Sequence, residues 1–274
     1  MELSLMNLTN EDVTKYLDYI NKIMNESFPE LNQKYNAIRL IVFRSNGTEN
    51  DQSEKAVKDF IGGSWVSLTG KIFPIRSTAN PPKACLEINL SSFELYEDWK
   101  QAFAIRHECL HLLIKTETSI TLKLLMAKYE VEKIKDYVRF QHEYVVHYNM
   151  IKKWPKDWLK EPLGISPSNP NPAITAYNVR ITNGRKAAML FSIEKIVHIL
   201  TILKLYESIP DELKQLLRSK KTTAKKCLQS FTNALRIDSK SFPQPSNWFE
   251  AEDFLNEEKY FQKIEKLLAL TDNE

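Results

Sequence analysis

The chain has 274 residues, of which 43% are hydrophobic, 27% charged and 11% aromatic, a composition that excludes a disordered chain. Three widely spaced cysteines exclude a small disulfide-stapled scaffold, and a net charge of +3 excludes a protein that coats nucleic acid by its overall charge. Only 6 glycines disfavour an all-β fold with many tight turns and favour a helix-rich or α+β fold.

The N-terminal region is predicted to begin with a helix and a buried strand. Asn10-Glu11-Asp12 caps a run of apolar residues at helical spacing, and we expect this helix to end near Phe28-Pro29. Residues 37–43 form a β-branched run that the turn signal Asn46-Gly47 closes, which is typical of a buried strand.

Two further segments indicate a small sheet. Residues 64–68 and 71–75 flank Thr69-Gly70 and are predicted to form a hairpin, with the second strand at a sheet edge because Pro74 lacks an N–H donor. Residues 84–90 alternate between apolar side chains on one face and mixed side chains on the other, which predicts a half-buried strand.

The rest of the chain is predicted to be helical around one irregular segment. Residues 161–172 contain four prolines in twelve positions, so we expect a linker or excursion there. This divides the chain into a domain over 1–160, the linker, and a helical region over 173–274. The predicted helices are 97–115, 132–153, 187–208, 211–218, 223–236 and 248–270.

The clearest chemical signal is His107-Glu108-Cys109-Leu110-His111, an HExxH pattern within a predicted helix. Residues four apart lie on the same face of a helix, so His107 and His111 can converge on one metal ion. Glu108 lies about 100° around the helix, where it can reach a water beside that ion. The pattern predicts two zinc ligands and a general base from a single helix, and it requires a third ligand.

A second polar cluster lies on the next long helix, where Glu143 and His147 are separated by one turn and share a face. One interpretation is an ordinary ion pair between neighbouring surface residues. The other is that this helix supplies the third metal ligand, either Glu143 or one of the histidines His142 and His147.

The motif at 107–111, followed by a helix bearing Glu143, resembles the gluzincin group of zinc metallopeptidases, in particular the ImmA/IrrE-type regulatory proteases and the minigluzincins. The resemblance covers about residues 84–150. It implies a zincin-like fold in which a strand such as 84–90 precedes the active-site helix and lines the substrate cleft. It also implies the ligand set His107, His111 and Glu143, with Glu108 as the base.

These residues predict a zinc-dependent peptidase that cleaves peptide or protein substrates. Glu108 removes a proton from the attacking water, and Tyr144, Tyr148 and His147 are the candidate donors to the developing oxyanion. Cys109 is expected to pack inside the protein, because nothing in the sequence indicates the electropositive, accessible setting of a reactive thiol. Trp154 and Trp158, spaced four residues apart around Pro155, are expected to fasten the end of the long helix to the core.

A competing hypothesis is a non-catalytic binding protein with a structural or vestigial metal site. Residues 214–236 carry seven cations and no acidic residue, which suits nucleic acid or an acidic protein partner. Alternatively, the acidic residues that follow between Glu250 and Glu258 neutralise this segment as a complementary solvated face.

The location of the chain is predicted from the signals it lacks. Its N-terminus has no basic and apolar segments of the secretory kind, and no stretch reaches 18 uninterrupted apolar residues. Three cysteines that are far apart, odd in number and without CxxC spacing suit a reducing compartment. We therefore expect a cytoplasmic protein that does not insert into membranes.

Overall fold

The chain folds into two compact units, Met1–Lys115 and Thr116–Glu274. Helix α7 (Val131–Lys153), which carries Glu143, therefore belongs with the C-terminal helices, whereas the sequence grouped it with the N-terminal region. The computed structural model describes residues 2–6, 10–44, 49–62, 74–80, 82–114, 119–160, 172–238 and 248–272.

The described part of the first unit combines helices with one mixed sheet in the strand order β1-β2-β4-β3. Strands β1, β2 and β4 are parallel, and β3 runs antiparallel to β4 at one edge. The strands are β1 (Glu2–Met6), β2 (Ala37–Phe43), β3 (Ile75–Asn80) and β4 (Lys83–Asn89), and the helices are α1 (Asn10–Ser27), α2 (Leu31–Lys34), α3 (Glu49–Ile61), α4 (Leu90–Phe93) and α5 (Asp98–Leu113).

Side chains of alternate residues on the strands face different helices, as the pleat of a sheet requires. Cys85 of β4 and Ile41 of β2 pack with Val57 and Phe60 of α3 in one buried cluster. Helix α5 packs against β3 and against α1. The sheet thus positions the helix that carries the HExxH motif.

The second unit is helical throughout its described residues. Helix α7 packs against the helices α8, α9, α12 and α13, and α11 packs along α9. The helices are α6 (Ile120–Lys128), α7 (Val131–Lys153), α8 (Pro155–Lys160), α9 (Pro172–Glu207), α10 (Asp211–Lys214), α11 (Arg218–Asp238), α12 (Ala251–Leu255) and α13 (Glu257–Ala269).

Helix α9 is interrupted at Gly184, whose φ of 86° and ψ of 174° are not helical. A side chain with a Cβ is strongly disfavoured in this backbone region, so glycine is the residue that permits the kink. The kink separates a leading helix over 172–183 from a longer segment over 185–207.

The α+β class and most of the predicted elements are confirmed. The helices predicted at 97–115 and 132–153 correspond to α5 and α7, and the strands predicted at 37–43 and 84–90 correspond to β2 and β4. The hairpin predicted around Thr69-Gly70 lies outside the described residues except for its last positions, as does the Pro-rich segment before Pro172. No helix in the described ranges combines the length and apolar character needed to cross a membrane.

Candidate metal centre

The helix that carries the HExxH motif is anchored at its C-terminal end. Lys34 Nζ donates hydrogen bonds to the carbonyl oxygens of Leu112 and Leu113, at 2.6 and 2.7 Å. The hydroxyl of Tyr35 also donates a hydrogen bond to the carbonyl oxygen of Leu112. These carbonyls belong to the last turn of α5, where intrahelical partners are lacking and a positive charge is favoured. The position of the motif along α5 is therefore fixed by side chains from outside the helix.

The two histidines of the motif converge as the spacing predicts. Their Nε2 atoms lie 3.1 Å apart, and the ring centroids are 4.8 Å apart in an edge-to-face arrangement. The ring of Phe103, one turn earlier on α5, stacks against that of His107 with centroids 6.4 Å apart. Both imidazoles are half-buried, so each can present a nitrogen to a shared ligand.

Glu108 is held by the edge strand β3. Its Oε2 atom accepts hydrogen bonds from the backbone N–H of Ser77 at 2.8 Å and from the Ser77 hydroxyl at 2.6 Å. Within the described chain, no hydrogen bond to Oε1 of Glu108 is found. One carboxylate oxygen is thus fixed, while the other can accept a proton or a hydrogen bond from a small molecule.

Cys109 has the packing role that the sequence predicted. Cys109, which lies between the two motif histidines in the sequence, is fully buried. Burial raises the pKa of its thiol far above the ordinary value. A thiol with such a high pKa carries almost no thiolate at neutral pH and does not act as a nucleophile.

The strand that faces α5 differs from the one that the resemblance implied. Strand β4, at 83–89, pairs with β2 on one side and β3 on the other, so it has no free edge along which a substrate could lie. The edge position belongs to β3, which packs against α5 and supplies Ser77. The expectation that a strand at 84–90 lines a cleft is therefore wrong, because the hairpin places β3 outside it.

In the second unit, Glu143 and His147 face each other across one turn of α7. Oε2 of Glu143 lies 3.7 Å from Nε2 of His147. The indole Nε1–H of Trp158 donates to Nδ1 of His147 at 3.2 Å. Since an indole only donates, Nδ1 must accept, and the proton of the neutral ring is on Nε2, toward the carboxylate.

Glu143 and His147 also line a cavity of about 320 Å³ between α7 and α9. The α9 wall includes Glu194 and His198. The ring of His198 stacks on that of Phe140 with centroids 4.9 Å apart, and burial lowers its pKa. Glu143 keeps about a third of its side chain exposed, so its carboxylate remains accessible to ligands.

Tyr144 does not occupy a position suited to the predicted role of oxyanion donor. It is fully buried, its ring stacks on Phe254 with centroids 4.5 Å apart, and its hydroxyl lies 3.5 Å from Oγ of Ser208. Burial also raises the pKa of this phenol. A hydroxyl enclosed in the helical core cannot reach a substrate, so the side chain of Tyr144 serves packing.

The structure thus brings together His107, His111 and Glu108 in the first unit, and Glu143 with His147 in the second. Two supporting residues were missed from the sequence. Ser77 carries no local signal, because its role depends on which strand lies at the edge of the sheet. Trp158 was predicted to be a packing residue, and it is 1% exposed, but its hydrogen bond to His147 could not be foreseen.

The chain was compared with protein-family models, curated proteins and solved structures, and none of the three comparisons found a match. The function is therefore inferred from the chemistry of these residues.

Proposed function

We propose that the protein is a zinc-dependent peptidase, as its resemblance to the gluzincins implies. The observation that carries this proposal is the convergence of the His107 and His111 Nε2 atoms, 3.1 Å apart, on the helix that also holds Glu108 against Ser77. Two histidines on a tetrahedral zinc ion, each about 2.05 Å from the metal, have nitrogens about 3.3 Å apart. The measured separation is close to this value, and it also permits a hydrogen bond between the rings when no ion is present.

For the third ligand we propose Glu143. The alternative His147 is less suitable, because its Nδ1 accepts from Trp158 and its Nε2–H is directed to the Glu143 carboxylate. In this arrangement His147 acts as a positioning residue, which restrains the ligand oxygen rather than donating to the oxyanion. Partners of this kind commonly fix the orientation of metal ligands.

The chemistry then requires one base and one electrophilic centre. Bound zinc polarises the substrate carbonyl and lowers the pKa of water to about 7. Glu108 accepts the proton of the attacking water through Oε1 while Ser77 holds Oε2, and it returns the proton to the leaving amine. The peptide bond is cleaved without a covalent intermediate on the protein.

We place this activity on peptide or protein substrates in the cytoplasm. Cys85, Cys109 and Cys227 form no disulfide; the first two are buried and the third is half-buried, which suits a reducing compartment. This part of the proposal is tested by locating the tagged full-length chain in fractionated cells.

The activity is tested with zinc analysis and hydrolysis of a mixed peptide library by the full-length chain. We expect one zinc ion per chain in the wild type and in Glu108→Gln, cleavage by the wild type alone, and loss of zinc in His111→Ala. Cleavage by Glu108→Gln at the wild-type rate would remove Glu108 from the mechanism. X-ray absorption then separates an open site with three protein ligands from a closed structural site with four.

A further inference from the structure

We propose that the outer face of helix α11 binds the phosphate backbone of double-stranded nucleic acid. The inference rests on the charges and packing of the second unit alone, and it is independent of the proposed peptidase activity. We call the five cations of the first half of the helix the α11 cations; they are Arg218, Lys220, Lys221, Lys225 and Lys226.

The α11 cations have no acidic counterpart in the adjacent sequence or among the residues that the structure describes. No Asp or Glu occurs between Glu212 and Asp238. Within the described parts of the chain, no carboxylate forms an ion pair with any α11 cation, whereas the neighbouring Lys214 is paired with Asp211. Five positive charges thus accumulate over less than three turns of helix.

The acidic residues that follow α11 are engaged elsewhere. Glu250 pairs with Lys204 of α9 at 3.0 Å, and Asp253 pairs with Lys263 of α13. Helices α12 and α13, which contain most of these acids, pack against α6, α7 and α9. The alternative that this acidic segment neutralises the basic helix is therefore not what the structure contains.

The packing of α11 directs its charges to solvent. Its apolar side is formed by Leu217, just before the helix, with Ala224 and Leu228, all buried, and the helix packs along α9. Arg218, Lys225 and Lys226 are exposed away from this apolar side, and Lys220 and Lys221 are half-buried at its edge. From Arg218 to Lys226 the helix rises about 12 Å, which corresponds to three or four phosphates of one strand at about 3.4 Å of duplex axis each.

The character of this face favours a nucleic acid duplex over other anionic partners. Protein interfaces are depleted of lysine and rely on aromatic or apolar anchors, which the exposed face from Arg218 to Gln229 lacks. Single strands are bound by stacking on aromatic side chains, and this face has none. A membrane-surface helix would need its apolar side, which is already covered by α9.

The test measures binding of the full-length protein to a labelled 20-base-pair duplex by fluorescence anisotropy between 50 and 200 mM salt. Neutralising three or four phosphates predicts a slope of about −2.7 to −3.6 in log K against log salt, or a loss of about 40- to 150-fold in affinity over that range. The double variant K225E/K226E is expected to weaken binding at 50 mM salt at least about tenfold and to flatten the slope by about 2.

The matched control is K259E/K266E, which reverses two exposed lysines on α13 and changes the net charge by the same amount. It should bind within about twofold of the wild type, as should Glu108→Gln. Circular dichroism verifies that each variant is folded. DNA and RNA duplexes are compared, and binding of either supports the proposal.

Three results would overturn it: no saturable binding by the wild type at 50 mM salt, equal weakening by both double variants, or better competition by polyglutamate than by duplex of equal charge. The last result would assign the face to an acidic protein.

Discussion

Ser77 of the edge strand β3 donates both its backbone N–H and its hydroxyl to the same carboxylate oxygen of Glu108, at 2.8 and 2.6 Å. The sheet of the first unit thereby fixes the orientation of the proposed base. The hydroxyl contributes a hydrogen bond to a charged acceptor, and the backbone bond remains when the hydroxyl is removed.

Ser77→Ala is expected to lower kcat about 3- to 10-fold, equivalent to about 1 kcal/mol, with zinc content and KM unchanged. Steady-state kinetics on a cleaved peptide checks this. Ser77→Thr keeps the hydroxyl and should retain most of the activity. Thr78→Ala is the control, because successive residues of a strand point to opposite faces and Thr78 points away from Glu108. A larger loss of kcat in Thr78→Ala than in Ser77→Ala would show that β3 acts on Glu108 through its backbone position alone.

The convergence of His107 and His111 could be predicted because it is a local property of any helix. The partner of Glu108 could not, because it is set by the position of β3. The hairpin predicted around Thr69-Gly70 lies outside the described residues except for its last positions, and it gave no indication that β3 pairs antiparallel with β4 at the edge of the sheet. Strand assignments rest on patterns within a segment, while the order of strands is decided by packing of the whole sheet.

Helix boundaries show the same division between local and distant information. The predicted helix at 248–270 is two helices, because the side chain of Asn256 accepts a hydrogen bond from the N–H of Lys259 and caps α13. This cap is a local signal that the sequence contained. Helix α3 was missed since its apolar residues, Ala56, Val57, Phe60 and Ile61, span little more than one turn of its thirteen residues.

The pair formed by Trp158 and His147 leads to a prediction about zinc affinity. If the Nε2–H of His147 restrains Glu143 as a ligand, His147→Asn should weaken zinc binding about 10- to 100-fold. His147→Gln should lose less zinc affinity than His147→Asn, because the longer glutamine side chain can place an amide N–H near the position of the original Nε2. Competition with a chromophoric chelator measures both affinities.

A matched control for this pair is provided by tryptophan substitutions. Trp158→Phe removes the indole donor to His147 and should weaken zinc binding, whereas Trp248→Phe, elsewhere in the same unit, should not. Equal zinc affinity in His147→Asn and the wild type would remove His147 from the proposed site. Urea unfolding of each variant separates a loss of zinc from a loss of fold, since Trp158 is also a core residue.

The kink in α9 predicts a backbone effect at Gly184. With φ at 86° and ψ at 174°, Gly184→Ala is expected to cost about 1–3 kcal/mol of unfolding free energy. Among the described residues, no atom from beyond the adjacent backbone lies within 4 Å of the added Cβ, so backbone strain rather than a clash causes the loss. Gly184→Asn should be equally destabilising, because asparagine tolerates the left-handed helical region but not this one. Retained stability in both variants, measured by urea unfolding, would contradict this account of the kink.

The buried pair of Arg76 and Glu87 predicts how the stability of the first unit depends on pH. Nε and Nη2 of Arg76 donate to the two carboxylate oxygens of Glu87 at 2.7 and 2.8 Å, and Glu87 is fully buried. Burial raises the pKa of Glu87, and Arg76 opposes that rise. Arg76→Met leaves the carboxylate buried without this partner, which is expected to cost about 3–5 kcal/mol at pH 7.

The sign of the pH effect follows from the direction of the pKa shift. Removal of Arg76 raises the pKa of folded Glu87 further above the ordinary value of 4.5, so the folded state of the variant binds the proton more readily than the unfolded state. The resulting stabilisation is present below the unfolded pKa and is lost as pH rises through the folded pKa. The deficit of Arg76→Met relative to the wild type should therefore shrink as pH falls from 7 to 5 in urea unfolding.

Two further variants make this prediction specific to burial. Adding Glu87→Gln to Arg76→Met removes the titrating group. The double variant should therefore lose less unfolding free energy at pH 7 than Arg76→Met alone, and this site should make no pH-dependent contribution to the loss. The half-exposed pair of Arg44 and Glu94, also at 2.8 Å, is the control, and Arg44→Met should cost at most about 1 kcal/mol at any of these pH values. A deficit of Arg76→Met that stays constant or grows toward pH 5 contradicts the assignment, because a buried carboxylate without its cation must become less costly once it is protonated.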